Sequence, residues 1–205
     1  MSVVVLISGR GSNLEALLRA EIPVSAVISN VAGAGGLGIA SRRGVPTRVI
    51  AHGDFASREA FDAALAGEID ALAPRLVALA GFMRVLTPGF VQHYASRLVN
   101  IHPSLLPAFP GLHTHRRALE EGVKIHGCTV HLVTADLDHG AIVAQAAVPV
   151  RRNDTEESLA ARVLKQEHAI YPRALRWFLD GKIVIENGAV RVNASDAQLV
   201  YSDGD

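Results

Sequence analysis

Residues 3–8 read VVVLIS, an aliphatic and β-branched run with no polar residue until its last position. A strand with one wet face alternates apolar and polar side chains, so a run without alternation belongs to a strand covered on both faces. Comparable runs recur at VSAVISN (24–30), PTRVI (46–50), RLVALAG (75–81) and SRLVNIH (96–102). The stretches between them carry helix signals. LEALLRA places Leu14, Leu17 and Leu18 on one side, and the Gly- and Ala-rich AGAGGLGIASRRG leads from a loop into a short helix. SREAFDAALAG (57–67) has Ser57 as N-cap and Gly67 as stop, and a further short helix is expected near 88–95. Strands and helices alternating at this spacing predict an α/β fold: an open, mostly parallel twisted sheet with helices on both faces.

The second half changes character. HGCTVHLVT (126–134) and AIVAQAAVPV (141–150) predict two long strands joined by ADLDHG, a connection of hairpin length and hence antiparallel. Asp154 followed by Glu157 resembles a capping box opening a long helix that runs past Pro172 to Gly181. KIVIENGAVRV predicts a hairpin about Asn187-Gly188, and the polar residues 194–205 read as a loose tail. We expect one domain over 1–193, with an N-terminal half of about 1–98 and a C-terminal half of about 99–193.

Composition narrows the function. Apolar residues make up 49% of the 205 and charged residues 20%, with 20 Lys+Arg against 20 Asp+Glu. That balance argues against nucleic acid or an anionic membrane as partner. Cys128 is the one cysteine, which excludes an intramolecular disulfide and a cysteine-based zinc site and suits a buried hydrophobe. No apolar run reaches the roughly 18–20 residues of a membrane span, and the N-terminus carries no signal-peptide pattern, so a cytoplasmic location is expected.

Three segments carry chemistry. SGRGSN (8–13) joins the first strand to a helix, where backbone N–H groups can cradle an anion. A dinucleotide fingerprint would need glycine where Leu14 stands and an acidic residue near Ser29-Asn30. An NAD-dependent oxidoreductase is therefore disfavoured, and a single phosphate monoester or a plain tight turn fits the segment. In VNIHPSLLPAFPG (99–111), Pro103 holds His102 extended at the C-terminal end of a strand, and Asn100 lies on the same face. An amide and an imidazole aimed at one point suit a developing oxyanion, while a satisfied structural histidine in a rigid turn fits the same residues. Asp136, Asp138 and His139 occupy the acidic loop, either as solvated turn formers or as a carboxylate that orients a histidine. His113, His115, His131 and His168 read as structural or surface residues. His113-x-His115 has no third ligand at convincing spacing, so no metal is expected.

Taken together, ISGRGSNLEALL, GFMRVL, NIHPSLLPAFPGLHTH, HGCTVHLVTADLDHGAIVAQ and QEHAIYP resemble the glycinamide ribonucleotide formyltransferases of the folate formyl-transfer superfamily. The likeness runs from about residue 3 to 180. It implies a Rossmann-like formyltransferase fold and a role in de novo purine synthesis, with 10-formyltetrahydrofolate as co-substrate. It implies a catalytic trio of Asn100, His102 and Asp138, and a phosphate seat at Gly11, Ser12 and Asn13 assisted by Arg58. Glu167 would hold the glycinamide end. Folate contacts would come from Met83, Arg84, Val85, Leu86, Leu98, Val133, Ala135, Asp136 and Leu137. The resemblance also implies a cis Leu106–Pro107 peptide, and a homodimer is compatible with it. A methionyl-tRNA formyltransferase would need a further C-terminal domain, and a formyltetrahydrofolate hydrolase an added N-terminal one. A non-catalytic nucleotide-binding module is the remaining alternative, and it requires that Asn100, His102 and Asp138 fail to converge.

Overall fold

The computed structural model describes residues 2–202, in two compact units. The first comprises the residues up to Asn100 together with Val133–Ala135; the second comprises Ile101–Leu132 and the residues from Asp136 on. The chain has the α/β class expected, with a parallel sheet in its first half and antiparallel strands in its second.

In the first unit the elements are β1 (Val3–Ile7), α1 (Ser12–Arg19), β2 (Val24–Ser29), α2 (Gly35–Arg42), β3 (Thr47–Val49), a single 3₁₀ turn (His52–Asp54), α3 (Arg58–Ala71), β4 (Leu76–Leu79) and α4 (Pro88–His93). β5 (Leu98–His102) follows, and its first three residues pair with β4. The strands lie parallel in the order β3-β2-β1-β4-β5. All five residues of β1 are fully buried between β2 and β4, which is why that run tolerates no polar alternation. Val4, Leu6, Phe61, Leu65, Ile69 and Leu98 belong to one core cluster.

Ser57 caps α3 as expected, accepting a hydrogen bond from Ala60 N at 3.1 Å. Gly67 does not end it; the helix continues to Ala71. An interior glycine costs about 1 kcal/mol, whereas burying an isoleucine side chain such as Ile69 contributes roughly 1.5–3 kcal/mol, so packing carries the helix through.

The second unit contains α5 (Thr114–Glu120), β6 (Ile125–Leu132), β7 (Ile142–Pro149), α6 (Glu156–Leu179) and the hairpin β8 (Ile183–Glu186)–β9 (Ala189–Val192). β6 and β7 are antiparallel, and α6 packs on both. Asn187 and Gly188 both have positive φ, as a two-residue hairpin turn requires. The capping box of α6 is formed by Thr155 and Ser158, not by Asp154 and Glu157. Asp154 instead makes a bidentate pair with Arg162 at 2.7 Å to each oxygen and accepts from the Arg151 amide. The tail is not loose throughout: β10 (Leu199–Tyr201) lies parallel to β7. Gln198 anchors it, its side-chain amide donating to the Val143 carbonyl at 2.9 Å. Residues 203–205 lie outside the described residues.

Candidate active site

β5 ends at His102, and the chain turns at once through Pro103 to Gly111. A polar lattice holds this turn. The Thr129 hydroxyl of β6 donates to the Ser104 carbonyl at 2.7 Å and accepts from the Leu106 amide and from Gln145 Nε2, each at 3.0 Å. Gln145 also donates to the Leu106 carbonyl at 2.9 Å, the Ser104 hydroxyl reaches the Ala108 carbonyl at 2.6 Å, and the Thr114 hydroxyl reaches the Pro103 carbonyl at 2.7 Å. The Leu106–Pro107 peptide is cis.

The turn delivers the carbonyl of Phe109 to 3.0 Å from His102 Nε2. A carbonyl only accepts, so Nε2 carries hydrogen and the other edge of the ring is Nδ1. Nδ1 faces Asp138 Oδ2 at 3.5 Å, with both side chains 8% exposed. This separation is longer than a good N–H···O bond and leaves Nδ1 within reach of a bridging water. Asp138 is fixed by the Gly111 amide, which donates to the same Oδ2 at 2.8 Å. Phe109 and Asp138 both occupy the left-handed backbone region, at φ 54 and 55. For a bulky side chain such as Phe109 that conformation costs roughly 1–2 kcal/mol, and here it aims the carbonyl at the imidazole.

Asn100 precedes His102 by two residues on β5 and is half-buried; strand alternation puts both side chains on one face. His131 of β6 adds a member that sequence reading treats as structural. Its Nε2 lies 3.8 Å from Asp138 Oδ1, its Nδ1 lies 2.9 Å from the Leu132 carbonyl, and burial holds its pKa below the ordinary value. Its period-two placement with Thr129 on β6 was visible in the sequence, but nothing there said that the acidic loop would fold over it. Behind the turn, His126 and His115 approach each other at 3.2 Å, and the Phe109 ring packs edge-on against His126. Burial first, and then His115, lower the His126 pKa to about 4. Burial likewise lowers the His115 pKa.

Beside this centre an open pocket of about 500 Å³ is lined by Pro110, Gly111, Asp136, Leu137 and His139. Two of the expected folate residues, Asp136 and Leu137, are thus grouped, and Leu137 is exposed. In the first unit, Leu86 and Leu98 are buried in the core cluster and Val133 packs against it, while Met83 and Val85 remain exposed. The Arg84 guanidinium lies over the Phe61 ring, 5.0 Å from its centroid. Ala135 is exposed. Glu167 is a buried carboxylate on α6. After burial itself, Glu167 contributes to pushing up the pKa of the Cys128 thiol, which suits an inert core residue. Among the described residues no three His, Cys, Asp or Glu side chains are grouped to hold a metal ion, and no helix is long and apolar enough to cross a membrane.

The glycine-rich turn of the first unit is shaped by backbone contact. Gly11 has φ 81, and a Cβ there would fall 2.5 Å from the Gly36 Cα. Gly36 N donates to the Gly9 carbonyl at 3.1 Å, which closes the turn on α2. The N-cap of α1 is Gly11, which makes no side-chain cap bond. Arg58 is exposed at the start of α3 and donates to the Val85 carbonyl at 2.6 Å.

Comparison with known proteins places the chain as a whole. The profile of the formyl transferase family matches residues 1–175. The phosphoribosylglycinamide formyltransferase of Escherichia coli (strain K12) is 53% identical over 195 residues, covering 92% of each chain. The trifunctional purine biosynthetic protein adenosine-3 of Drosophila melanogaster is 51% identical over 191 residues; these are 89% of this chain and 14% of that much longer protein. Among solved structures, the phosphoribosylglycinamide formyltransferase of Anaplasma phagocytophilum superposes with a TM-score of 0.93 at 43% identity, covering 99% of both chains. With three quarters or more of its length matched in each comparison and the same fold, this chain belongs to the formyl transferase family.

Proposed function

We propose that the protein transfers the formyl group of 10-formyltetrahydrofolate to the amine of glycinamide ribonucleotide, in purine biosynthesis. The observation that carries this reading is the His102–Asp138 pair, 3.5 Å apart at the end of a β-strand, in a chain of this family. The phosphate of the ribonucleotide is bound by Gly11, Ser12 and Asn13. Arg58 assists, because a guanidinium has five N–H donors and the contact to Val85 uses only one terminal nitrogen. Glu167 serves the glycinamide end. The pteridine and its chain are met by Met83, Arg84, Val85, Leu86, Leu98, Val133, Ala135, Asp136 and Leu137.

The neutral amine adds to the formyl carbon, and the carbonyl electrons move to oxygen. Asn100 and protonated His102 donate to the resulting oxyanion, a contribution on the order of 3–4 kcal/mol per donor. The adduct now bears an extra proton on the attacking nitrogen. Asp138 takes it through a water and a proton is returned to the folate nitrogen, whose bond to the formyl carbon then breaks. The products are formylglycinamide ribonucleotide and tetrahydrofolate. Neither a metal nor a redox step enters the balance.

The test is direct incubation of the purified protein with both substrates, following tetrahydrofolate release and the mass of the ribonucleotide. Stoichiometric formylation is expected. Folded protein that yields no formylated product refutes the proposal and favours a non-catalytic binding module.

A further inference from the structure

We infer that Ser8 is a positioning residue for the folate-binding segment 83–86, acting from the last position before the glycine-rich turn. The inference rests on the functional reading above and adds a residue to it. Ser8 holds the segment and the residue that leads into it. Its amide donates to the Gly81 carbonyl at 3.1 Å, and its hydroxyl accepts from the Met83 amide at 2.7 Å. A hydroxyl that accepts one bond is free to spin unless its own hydrogen is committed. Here it is: Ser8 Oγ donates to Asn30 Oδ1 at 2.6 Å. Asn30 is 5% exposed, and its side-chain nitrogen lies 3.2 Å from His52 Nδ1. The same Nδ1 lies 3.2 Å from the Asn30 carbonyl, so His52 packs against Asn30 while Oδ1 is turned towards Ser8.

The rest of the segment is pinned at alternate residues. Arg58 holds the Val85 carbonyl at 2.6 Å, and Asp62 accepts from the Thr87 amide at 2.6 Å. Contacts at 81, 83, 85 and 87 tie down the backbone that carries the exposed side chains of Met83 and Val85. Two of those contacts are Ser8's. Asn30 stands at the end of β2, where dinucleotide folds carry the acidic residue that reads a ribose. In this chain that position faces inward and orients Ser8 instead. Preorganising a binding wall in this way lowers the ordering cost of ligand capture and does not touch the reacting atoms.

The experiment uses Ser8→Ala and Ser8→Thr in the formyl-transfer assay, with amide hydrogen exchange of the ligand-free proteins. Losing one net hydrogen bond corresponds to about a five-fold rise in the KM for 10-formyltetrahydrofolate in Ser8→Ala, with kcat held within about two-fold. Ser8→Thr, which keeps the hydroxyl, restores the KM. The Met83 amide exchanges about ten-fold faster in Ser8→Ala than in the parent. An unchanged folate KM, a fall in kcat at constant KM, or no recovery in Ser8→Thr overturns the assignment. If the parent protein makes no product, the functional reading falls on its own, and Met83 exchange decides the bracket: faster in Ser8→Ala upholds it, unchanged overturns it.

Discussion

Replacing Asp138 by asparagine separates charge from architecture at the proposed centre. Asp138 does two jobs with one oxygen: Oδ2 accepts from the Gly111 amide at 2.8 Å and faces His102 Nδ1 at 3.5 Å. Asparagine is isosteric, and its carbonyl oxygen can keep the Gly111 bond, which turns the amide nitrogen towards His131. The loop stays anchored while the negative charge beside His102 is lost. Opposite unit charges at that separation attract by roughly 4–5 kcal/mol at an effective dielectric of about 20, an upper bound on what the protonated ring forfeits. Loss of a comparable transition-state contact costs about 3–4 kcal/mol, so kcat should fall by roughly 10²–10³-fold. The KM values should stay within about three-fold and the unfolding free energy from urea within about 1 kcal/mol of the parent. Asp138→Ala removes the anchor as well. A hydrogen bond to a charged group is worth about 1.5–3 kcal/mol, so the same loss of kcat should come with a clear rise in the folate KM. Steady-state kinetics with each substrate varied, alongside urea titration, measures all of this. Asp138→Asn retaining more than about a tenth of the parental kcat would refute the reasoning, because the pair would then not act through charge.

Two predictions concern stability against pH, with urea midpoints as the measurement. His126 titrates at about 4 in the folded protein, against about 6.5 unfolded, so the unfolded chain binds more protons between those values. The stability from neutral His126 is complete above about pH 6.5 and is lost as the pH falls towards 4, by about 3 kcal/mol; His126→Gln should flatten that part of the profile, and an unaltered profile excludes burial of the neutral ring as its cause. Arg162 holds the Asp154 carboxylate well below the usual range, in a pair whose side chains are 9% and 4% exposed. Its contribution is present above about pH 4 and is lost on further acidification, and Asp154→Asn should cost about 3 kcal/mol at neutral pH. A loss under about 1 kcal/mol would show that the start of α6 does not depend on this pair.

What could be read directly was whatever acts within a few residues. The buried strands β1, β2, β4 and β5 were legible because burial on both faces removes polar alternation. The Ser57 cap, the Asn187-Gly188 hairpin and the extended His102 before Pro103 each follow from one local preference. Residue types and motif order were likewise enough to suggest the family. Local rules failed where a distant partner outweighed them. Gly67 stays helical because Leu65 and Ile69 pack in the core, and Asp154 leaves the cap position for Arg162. Leu199–Tyr201, in a polar tail, becomes a strand because β7 offers it an edge.

The candidate site shows the same division. Asn100-x-His102 was visible as a motif, but only the fold carries Asp138 back to Gly111, 27 residues away along the chain, and sets His131 on its other oxygen. Which nitrogen of His102 faces Asp138 was equally invisible, since it depends on the carbonyl of a left-handed Phe109. The sequence by itself determined which groups this protein can bring to a reaction and which segments form its sheet, because propensity, periodicity and proline geometry are local. The tertiary structure alone decided which groups meet and which ring edge faces the carboxylate, because hydrogen bonds and charges act across a few ångströms of space whatever their separation in the chain.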